Sequence, residues 1–258
     1  MIAGLVAALL AFVPAQAGTN ARRPPVSLVA APARVILAGS ARQTVTVTNS
    51  GSRRVVLDVT RAGYALDLRG RPRVVRRGLG RHAASAWLTV RPARLTLPAG
   101  GSAALSVSAR LPRGAEPGDH GALVLLTTRP IRSAAVTVRM RLGVVVIVRA
   151  PGTIVRRIEL LRVRVRPPGR PGVLELVLAN RGNVTEVVGP SCVRATLRRV
   201  GEVLARLRPT ARRLLPHTRG IVELRYPRGV RGWATVRLEP SGRPPCARTL
   251  SRTLRVRL

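Results

Sequence analysis

The chain has 258 residues, of which 46% are hydrophobic and 2% aromatic, and its formal net charge is +36. This length and hydrophobic fraction exclude a disordered tail and fit one large or two ordinary folded domains. All 46 basic residues are arginine, because the chain contains no lysine. Such a charge indicates an anionic partner, whose class depends on where the arginines lie.

An uncharged apolar run, Ile2–Val13, opens the chain, and an Ala-Gln-Ala triplet follows it. This pattern is typical of a signal peptide, and the run is shorter than the roughly 20 residues of a membrane-spanning helix. We therefore predict a signal peptide over residues 1–17, a linker over 18–24, and an extracytoplasmic mature chain with no transmembrane anchor after cleavage. An uncleaved anchor and a true start upstream are the alternatives, because the usual basic opening segment is missing.

Three strand-and-turn elements follow in the first half of the mature chain. The first, Thr44–Val59, consists of an alternating strand, an Asn-x-Gly turn at 49–51 and a second strand. The second, Leu95–Pro112, is a Leu-Pro turn that leads into an apolar strand, and the third, Gly118–Thr128, is a Gly-bounded turn and strand. A hairpin that turns at Arg69–Pro72 is expected between the first element and the second.

The same three elements recur in the same order in the second half of the chain. They are Leu174–Val188, with its Asn-x-Gly turn at 180–182, then Arg213–Pro227 and Gly229–Pro240. A repeated order of strands and turns indicates a duplicated structural unit.

Short valine-rich strands at roughly ten-residue spacing, with turn residues between them, are typical of an immunoglobulin-like sandwich. We predict an all-β protein of two tandem immunoglobulin-like β-sandwich domains, over residues 25–150 and 151–258. Trp87 and Trp233 each lie near a late strand of their copy, and we expect both to fill the core.

The two cysteines, Cys192 and Cys246, predict a disulfide, since an exported chain with an even cysteine count commonly pairs them. Two unpaired thiols are the alternative. Neither cysteine has a second cysteine or histidine at the spacing of metal ligands, so no metal site is predicted.

Arginine alternates with aliphatic residues in Val136–Leu142, Leu161–Arg166 and Leu254–Leu258. On a strand this period places the aliphatic side chains inward and the arginines outward. The charge is therefore spread over strand faces instead of a basic arm or recognition helix. A cationic nucleic-acid-binding protein is therefore only the third hypothesis, and we expect no nucleic-acid partner. The candidate face for an anionic partner consists of Arg162, Arg164 and Arg166.

Two motifs in the first half, WLTVRPARLTLPAGGSAALSVSARLP and EPGDHGALVLL, resemble the first domain of the WxL-interacting cell-surface proteins. The second half, with NRGNV and LLPHTRG, is similar to the module that follows that domain. The resemblance implies a peptidoglycan-binding immunoglobulin-like domain and a partner-binding one. We therefore expect a binding or structural module of the cell envelope, whose partner is a cell-wall polymer or another envelope protein.

A second resemblance concerns the segment VTVRMRLGVVVIVRAPG, Val136–Gly152, which is similar to the closing strand and domain junction of periplasmic pilus chaperones. The resemblance implies a protein that donates alternating hydrophobic side chains to the open sheet of a subunit. The chaperones carry a cleft arginine and a cleft lysine, and this chain has no lysine. The donor row implied here consists of Val136, Val138, Met140 and Leu142.

The sequence offers little for catalysis, since the ten acids are scattered and the nucleophile-elbow, HExxH, Walker and GxGxxG motifs are missing. Asp119 and His120 are adjacent, but neighbouring residues of a strand point to opposite faces. The second copy has Val230-Arg231 at the same place. We predict a protein that is not an enzyme and needs no cofactor, with Glu116 and Asp119 as solvated partners of arginine.

Overall fold

The computed structural model describes residues 23–75, 83–133, 136–166, 172–241, 246 and 250–258. All regular secondary structure among these residues is β-strand. The predicted signal peptide and most of the predicted linker lie outside these residues. Among the described residues, no helix is long and apolar enough to cross a membrane.

The strands of the first half are β1 (Leu28–Ala31), β2 (Arg34–Ala38), β3 (Arg42–Asn49), β4 (Val55–Leu66), β5 (Pro72–Val75), β6 (Leu88–Arg91), β7 (Arg94–Leu97), β8 (Ser102–Ala109), β9 (Gly118–Thr128), β10 (Ile131–Ser133), β11 (Val136–Val138) and β12 (Arg141–Ala150). The strands of the second half are β13 (Ile158–Arg166), β14 (Gly172–Asn180), β15 (Glu186–Val188), β16 (Val193–Arg199), β17 (Glu202–Leu207), β18 (Arg212–Leu214), β19 (Arg219–Tyr226), β20 (Trp233–Pro240) and β21 (Arg252–Arg257).

The first half is a sandwich of two sheets. One sheet has the order β1-β3-β8-β6, and the other has the order β2-β12-β9-β4-β5 with β7 beside β4. Alternation along the strands buries one face of each, so that Val45 and Leu105 of the first sheet meet Val124 and Val146 of the second in one core. Each fully buried valine or leucine stabilises the fold by about 1.5–3 kcal/mol.

The second half is a second sandwich with its own core. Its sheets have the orders β13-β14-β19 and β17-β16-β20-β21, and β15 pairs with β18. Cys192 and Cys246 form the predicted disulfide, which closes a separation of 54 residues. The fold class, an all-β chain of immunoglobulin-like sandwiches, is as the sequence predicts.

The two tryptophans differ in their surroundings. Trp87 packs against the first core, as predicted. The prediction of a core position is wrong for Trp233, which is 54% exposed. Trp233 opens β20 at an outward position of the alternation, because the next residue, Ala234, points inward and is buried.

The repeat in the sequence corresponds to a hydrogen-bonding arrangement that occurs twice. Asn49 Nδ2 donates to Arg53 O at 2.7 Å and to Pro98 O at 2.9 Å. Asn180 Nδ2 donates in the same way to Val184 O at 2.7 Å and to Leu214 O at 3.1 Å. The asparagine of each copy thus fastens its own turn and joins that turn to the Leu-Pro segment of the same copy.

Close approach of backbone, and not a positive φ, explains the glycines of these two turns. Neither Gly51 nor Gly182 has a positive φ. A Cβ atom on Gly182 would lie 2.2 Å from Val155 O, and one on Gly51 would lie 2.8 Å from Ser27 N. Glycine is needed at both positions because another segment of backbone passes too close for a side chain.

Candidate functional site

The strand β12 has one edge that is only partly covered. Along its whole length, from Arg141 to Ala150, it pairs with β9 in antiparallel fashion. On its other edge β2 pairs with it in parallel, but only from Val145 to Arg149. Among the described residues, no strand pairs with this edge over 141–144, which leaves backbone groups open to a further strand.

The pairing of the β9–β12 hairpin continues past the ends of these two strands. Thr128 N donates to Met140 O at 2.9 Å, and Met140 N donates to Thr128 Oγ1 at the same distance. The short strands β10 and β11 then pair with each other beyond this point. The open edge of β12 is therefore part of a longer two-stranded ribbon.

The predicted donor row lies on this ribbon. Leu142 and Met140 are partly buried and pack against the first core, whereas Val138 is exposed. Val136 opens β11, but its side chain lies outside the described residues. The buried residues that continue the same row along β12 are Val144, Val146 and Val148.

The predicted anionic-partner face on β13 is smaller than expected. Arg166 is ion-paired with both Glu175 and Glu223. Arg69 of the β4–β5 turn contacts the same two acids, with Nη1 2.5 Å from Glu223 Oε1 and Nη2 3.2 Å from Glu175 Oε1. Arg166 is thus part of a contact between the two halves.

The other two residues of that face are different. Arg162 and Arg164 are exposed, and no ion pair of the described residues includes either of them. Two arginines therefore stay available to an anion at this face, and their role stays a prediction.

An arginine cluster that sequence reasoning missed lies where the two sandwiches meet. Tyr64 of β4 packs in an apolar cluster that includes Leu215 from the second half. Burial raises the pKa of Tyr64, and the charges of Arg34 and Arg213 together with a hydrogen bond from Arg34 oppose that rise. Arg34 stands at the start of β2 and Arg213 in the middle of β18, so only the fold brings these side chains together.

The two arginines of this cluster lie close enough to affect each other. Burial lowers the pKa of Arg213, and the positive charge of Arg34 lowers it further. No ion pair of the described residues includes either arginine. Two neighbouring cations beside a tyrosine hydroxyl form a site that is suited to an anion, above all a planar carboxylate.

Asp119 joins the two sandwiches close by. It is 2% exposed and accepts hydrogen bonds from Arg149 Nε at 2.7 Å and Arg149 Nη2 at 3.1 Å. It also accepts one from Thr185 N of the second half at 2.8 Å. Burial raises the pKa of Asp119, but these hydrogen bonds more than offset burial and hold its pKa below the usual value. The predicted arginine partner is present, whereas the prediction of a solvated acid is wrong.

Two further residues complete this junction. Asn183 donates from Nδ2 to Pro117 O at 3.0 Å and to Thr153 O at 2.8 Å. Glu186 is 1% exposed and pairs with Arg156 Nη1 at 2.7 Å. Burial raises the pKa of Glu186, and the charge of Arg156 only partly opposes this effect.

His120 does not form an acid–base pair with Asp119. Its ring lies 4.4 Å from the Trp87 ring, centroid to centroid, and its Nε2 lies 2.8 Å from Glu116 O. The two neighbours therefore face opposite sides of β9, as the sequence predicts. Glu116 is exposed, as expected. Among the described residues, no three histidine, cysteine or acidic side chains come together as metal ligands would.

Solved structures of chaperones are similar to this chain. The class 5 fimbriae chaperone CfaA matches with a TM-score of 0.50 and 11% identity over 90% of this chain and 100% of its own. The E. coli chaperone DraB matches at 15% identity over 90% and 99% of the two chains, with a TM-score of 0.45. Pseudomonas aeruginosa CupB2 also matches at 15% identity, over 89% and 100%, with a TM-score of 0.45.

At 11% identity the match with CfaA shows the fold alone. No family model matches the chain, and no match is found among curated proteins. The resemblance to the WxL-interacting proteins therefore stays a prediction. The resemblance to pilus chaperones is supported at the level of the fold.

Proposed function

We propose that this protein is an extracytoplasmic chaperone that holds an envelope protein subunit by adding a strand to it. The observation that carries the proposal is the open edge of β12 at 141–144, next to an apolar row on the same ribbon. We further propose that its two domains are residues 25–150 and 151–258. The first core ends at Val148 and the second begins at Ile158, which supports this boundary.

The donated strand would act through backbone and side chains together. A subunit that lacks one strand exposes unpaired N–H and C=O groups and an open core. Its edge would pair with the backbone over 138–144, which extends the β12 sheet into the subunit. Val138 and the exposed parts of Met140 and Leu142 would then close the open core of the subunit.

The arginine cluster supplies a second contact for the subunit. Arg34 and Arg213 would hold an anionic group, of which the terminal carboxylate of the subunit is the simplest example. Arginine binds a carboxylate through two parallel hydrogen bonds, whereas lysine acts as a point charge. Two arginines thus serve where the resembled chaperones have an arginine and a lysine.

The test is co-purification with a secreted subunit that aggregates when it is expressed alone. Val138→Asp with Met140→Asp should abolish the complex, because two carboxylates cannot enter an apolar core. A matched control is Val29→Asp with Val74→Asp, at exposed valines of other strands, and it should keep the complex. A stable complex with the Val138/Met140 variant would contradict the proposal.

The arginine cluster is tested separately in the same assay. Arg34→Ala with Arg213→Ala should weaken the complex by about tenfold or more, since a charge-assisted hydrogen bond contributes about 1.5–3 kcal/mol. Arg162→Ala with Arg164→Ala removes the same charge from exposed positions of β13 and should leave the affinity unchanged.

Binding of a cell-wall polymer is the second candidate function. The observation that favours it is the exposed pair Arg162 and Arg164. Arg166 of the same face does not contribute, because it is ion-paired with Glu175 and Glu223. Retention on purified cell wall at low salt, lost in the Arg162/Arg164 variant, would support this function over the chaperone.

A further inference from the structure

One end of the second sandwich carries an exposed surface of apolar and arginine side chains. The β16–β17 turn, the start of β20 and the end of β21 meet there, since Arg198 pairs with both Val203 and Thr235, and Trp233 pairs with Arg257. We define the sandwich tip as residues 198–203, 231–235 and 255–258.

The apolar part of the sandwich tip consists of three exposed side chains. Trp233 is 54% exposed, Val203 is about half exposed, and Val200 at the turn is fully exposed. Val203 and Trp233 lie on the same face of the sheet, because Arg198 is opposite both Val203 and Thr235 and Thr235 is two residues from Trp233. Exposure of neighbouring apolar side chains to water is unfavourable, so these three residues indicate a binding surface for an apolar partner.

The backbone gives an independent sign at Val200. Its φ is +43°, and that of Gly201 is +83°, so both central residues of the turn are left-handed. Asparagine or glycine is the usual residue at such a position, and a β-branched side chain is disfavoured there. Neither the turn geometry nor exposure to solvent favours a valine at this position. Val200 therefore serves a purpose other than the stability of the fold.

The charge of the sandwich tip is predominantly positive. It includes a single acid, Glu202, and no ion pair of the described residues includes any of its arginines. Arg255 lies over the Trp233 ring with its guanidinium carbon 4.6 Å from the ring centroid. Arg199 Nε donates to the backbone carbonyl of Trp233 at 3.3 Å, which holds a further guanidinium at the start of β20. The arginines of the tip are Arg198, Arg199, Arg231, Arg255 and Arg257.

We propose that the sandwich tip docks on a lipid bilayer that contains anionic phospholipids. Trp233, Val200 and Val203 enter the headgroup region, where tryptophan is favoured because one end of its ring system is apolar and the other is polar. The surrounding arginines bind the lipid phosphates. A charged wall polymer would use the arginines but would not account for exposed valines, which is why the bilayer is favoured. The surface is in the second sandwich, apart from the donor ribbon of β12.

The experiment measures sedimentation of the full mature chain with vesicles. Equimolar phosphatidylcholine and phosphatidylglycerol should bind the chain, and phosphatidylcholine alone should not. Arg255→Gln with Arg257→Gln should weaken binding by about twenty-fivefold, at roughly fivefold per arginine near an anionic surface. The matched control, Arg42→Gln with Arg110→Gln, removes the same charge from exposed positions of the first sandwich and should stay within about twofold of the wild type.

Two further measurements separate docking from folding and from charge alone. Val200→Asn suits the turn better, so this variant should fold at least as stably and yet bind vesicles about threefold more weakly. Tryptophan emission should shift to the blue on binding, and Trp233→Phe should abolish that shift while Trp87 remains. Equal binding by the two arginine variants, or no blue shift, would overturn the proposal. Binding to polygalacturonate beads but not to vesicles would also overturn it and would assign the tip to an anionic polymer.

Discussion

Replacement of Asp119 by alanine tests whether one buried ion pair joins the two sandwiches. The change removes the acceptor of two hydrogen bonds from Arg149 and of one from Thr185 N. Breaking a buried pair by removal of one partner costs about 3–5 kcal/mol. The Arg149 side chain is 36% exposed and can be rehydrated, so we expect the lower end of that range. The free energy of unfolding should therefore fall by about 3 kcal/mol.

The assay is urea unfolding followed by tryptophan fluorescence. Trp87 reports on the region of interest because it lies against His120, the neighbour of Asp119. The control is Asp58→Ala, which removes an acid that is 3.2 Å from Arg94 in an exposed pair and should cost less than about 1 kcal/mol. If the two variants lose the same stability, the reasoning from burial is refuted.

Three further predictions concern the same junction and the repeat. Burial raises the pKa of Glu186, so its contribution to stability falls as pH rises from its unfolded pKa, about 4.3, through the raised folded value. Glu186→Gln should remove that fall in urea midpoints measured against pH, and an unchanged slope would count against it. Gly182→Ala should destabilise the fold by about 1–3 kcal/mol because its Cβ meets Val155 O, whereas Gly143→Ala, with ordinary contacts at 3.7 Å, should be nearly neutral in the same urea assay. Arg213→Met should raise the melting temperature of the free chain, since it removes a positive charge that repels Arg34, and a lower melting temperature would contradict this interpretation.

The fold was accessible from the sequence because the repeat and the strand periodicity are local signals. The Asn-x-Gly and Leu-Pro motifs that define the repeat are the two ends of one hydrogen-bonded contact, from Asn49 to Pro98 and from Asn180 to Leu214. Because the two motifs contact each other in each copy, they occur together in both copies, and the repeat can be recognised from the sequence before the contact is known. The role of Gly51 and Gly182 could not be predicted from the sequence, since the backbone that approaches them is distant in sequence.

The error at Asp119 has a physical cause of the same kind. Every residue of β9 is buried, because the first core covers one face of the strand and neighbouring segments, the second half among them, cover the other. In sequence this strand begins with a turn-like Gly-Asp-His-Gly, which indicates an exposed connection. Burial by a second sandwich leaves no trace in the local pattern, so the acid was expected in solvent.

In a chain with 46 arginines, the net charge alone says little about function. The register of the strands and the ion pairs of individual arginines are more informative. Register places Trp233 outside although its residue type favours the core, and it places Arg255 beside it. Pairing separates Arg166, which the fold already neutralises, from Arg34 and Arg213, which it does not. Two neighbouring positive charges without an acid repel each other and raise the free energy of the empty protein, and binding of an anion recovers that energy. Unpaired arginines near the junction are therefore better evidence for a ligand than the net charge of the whole chain.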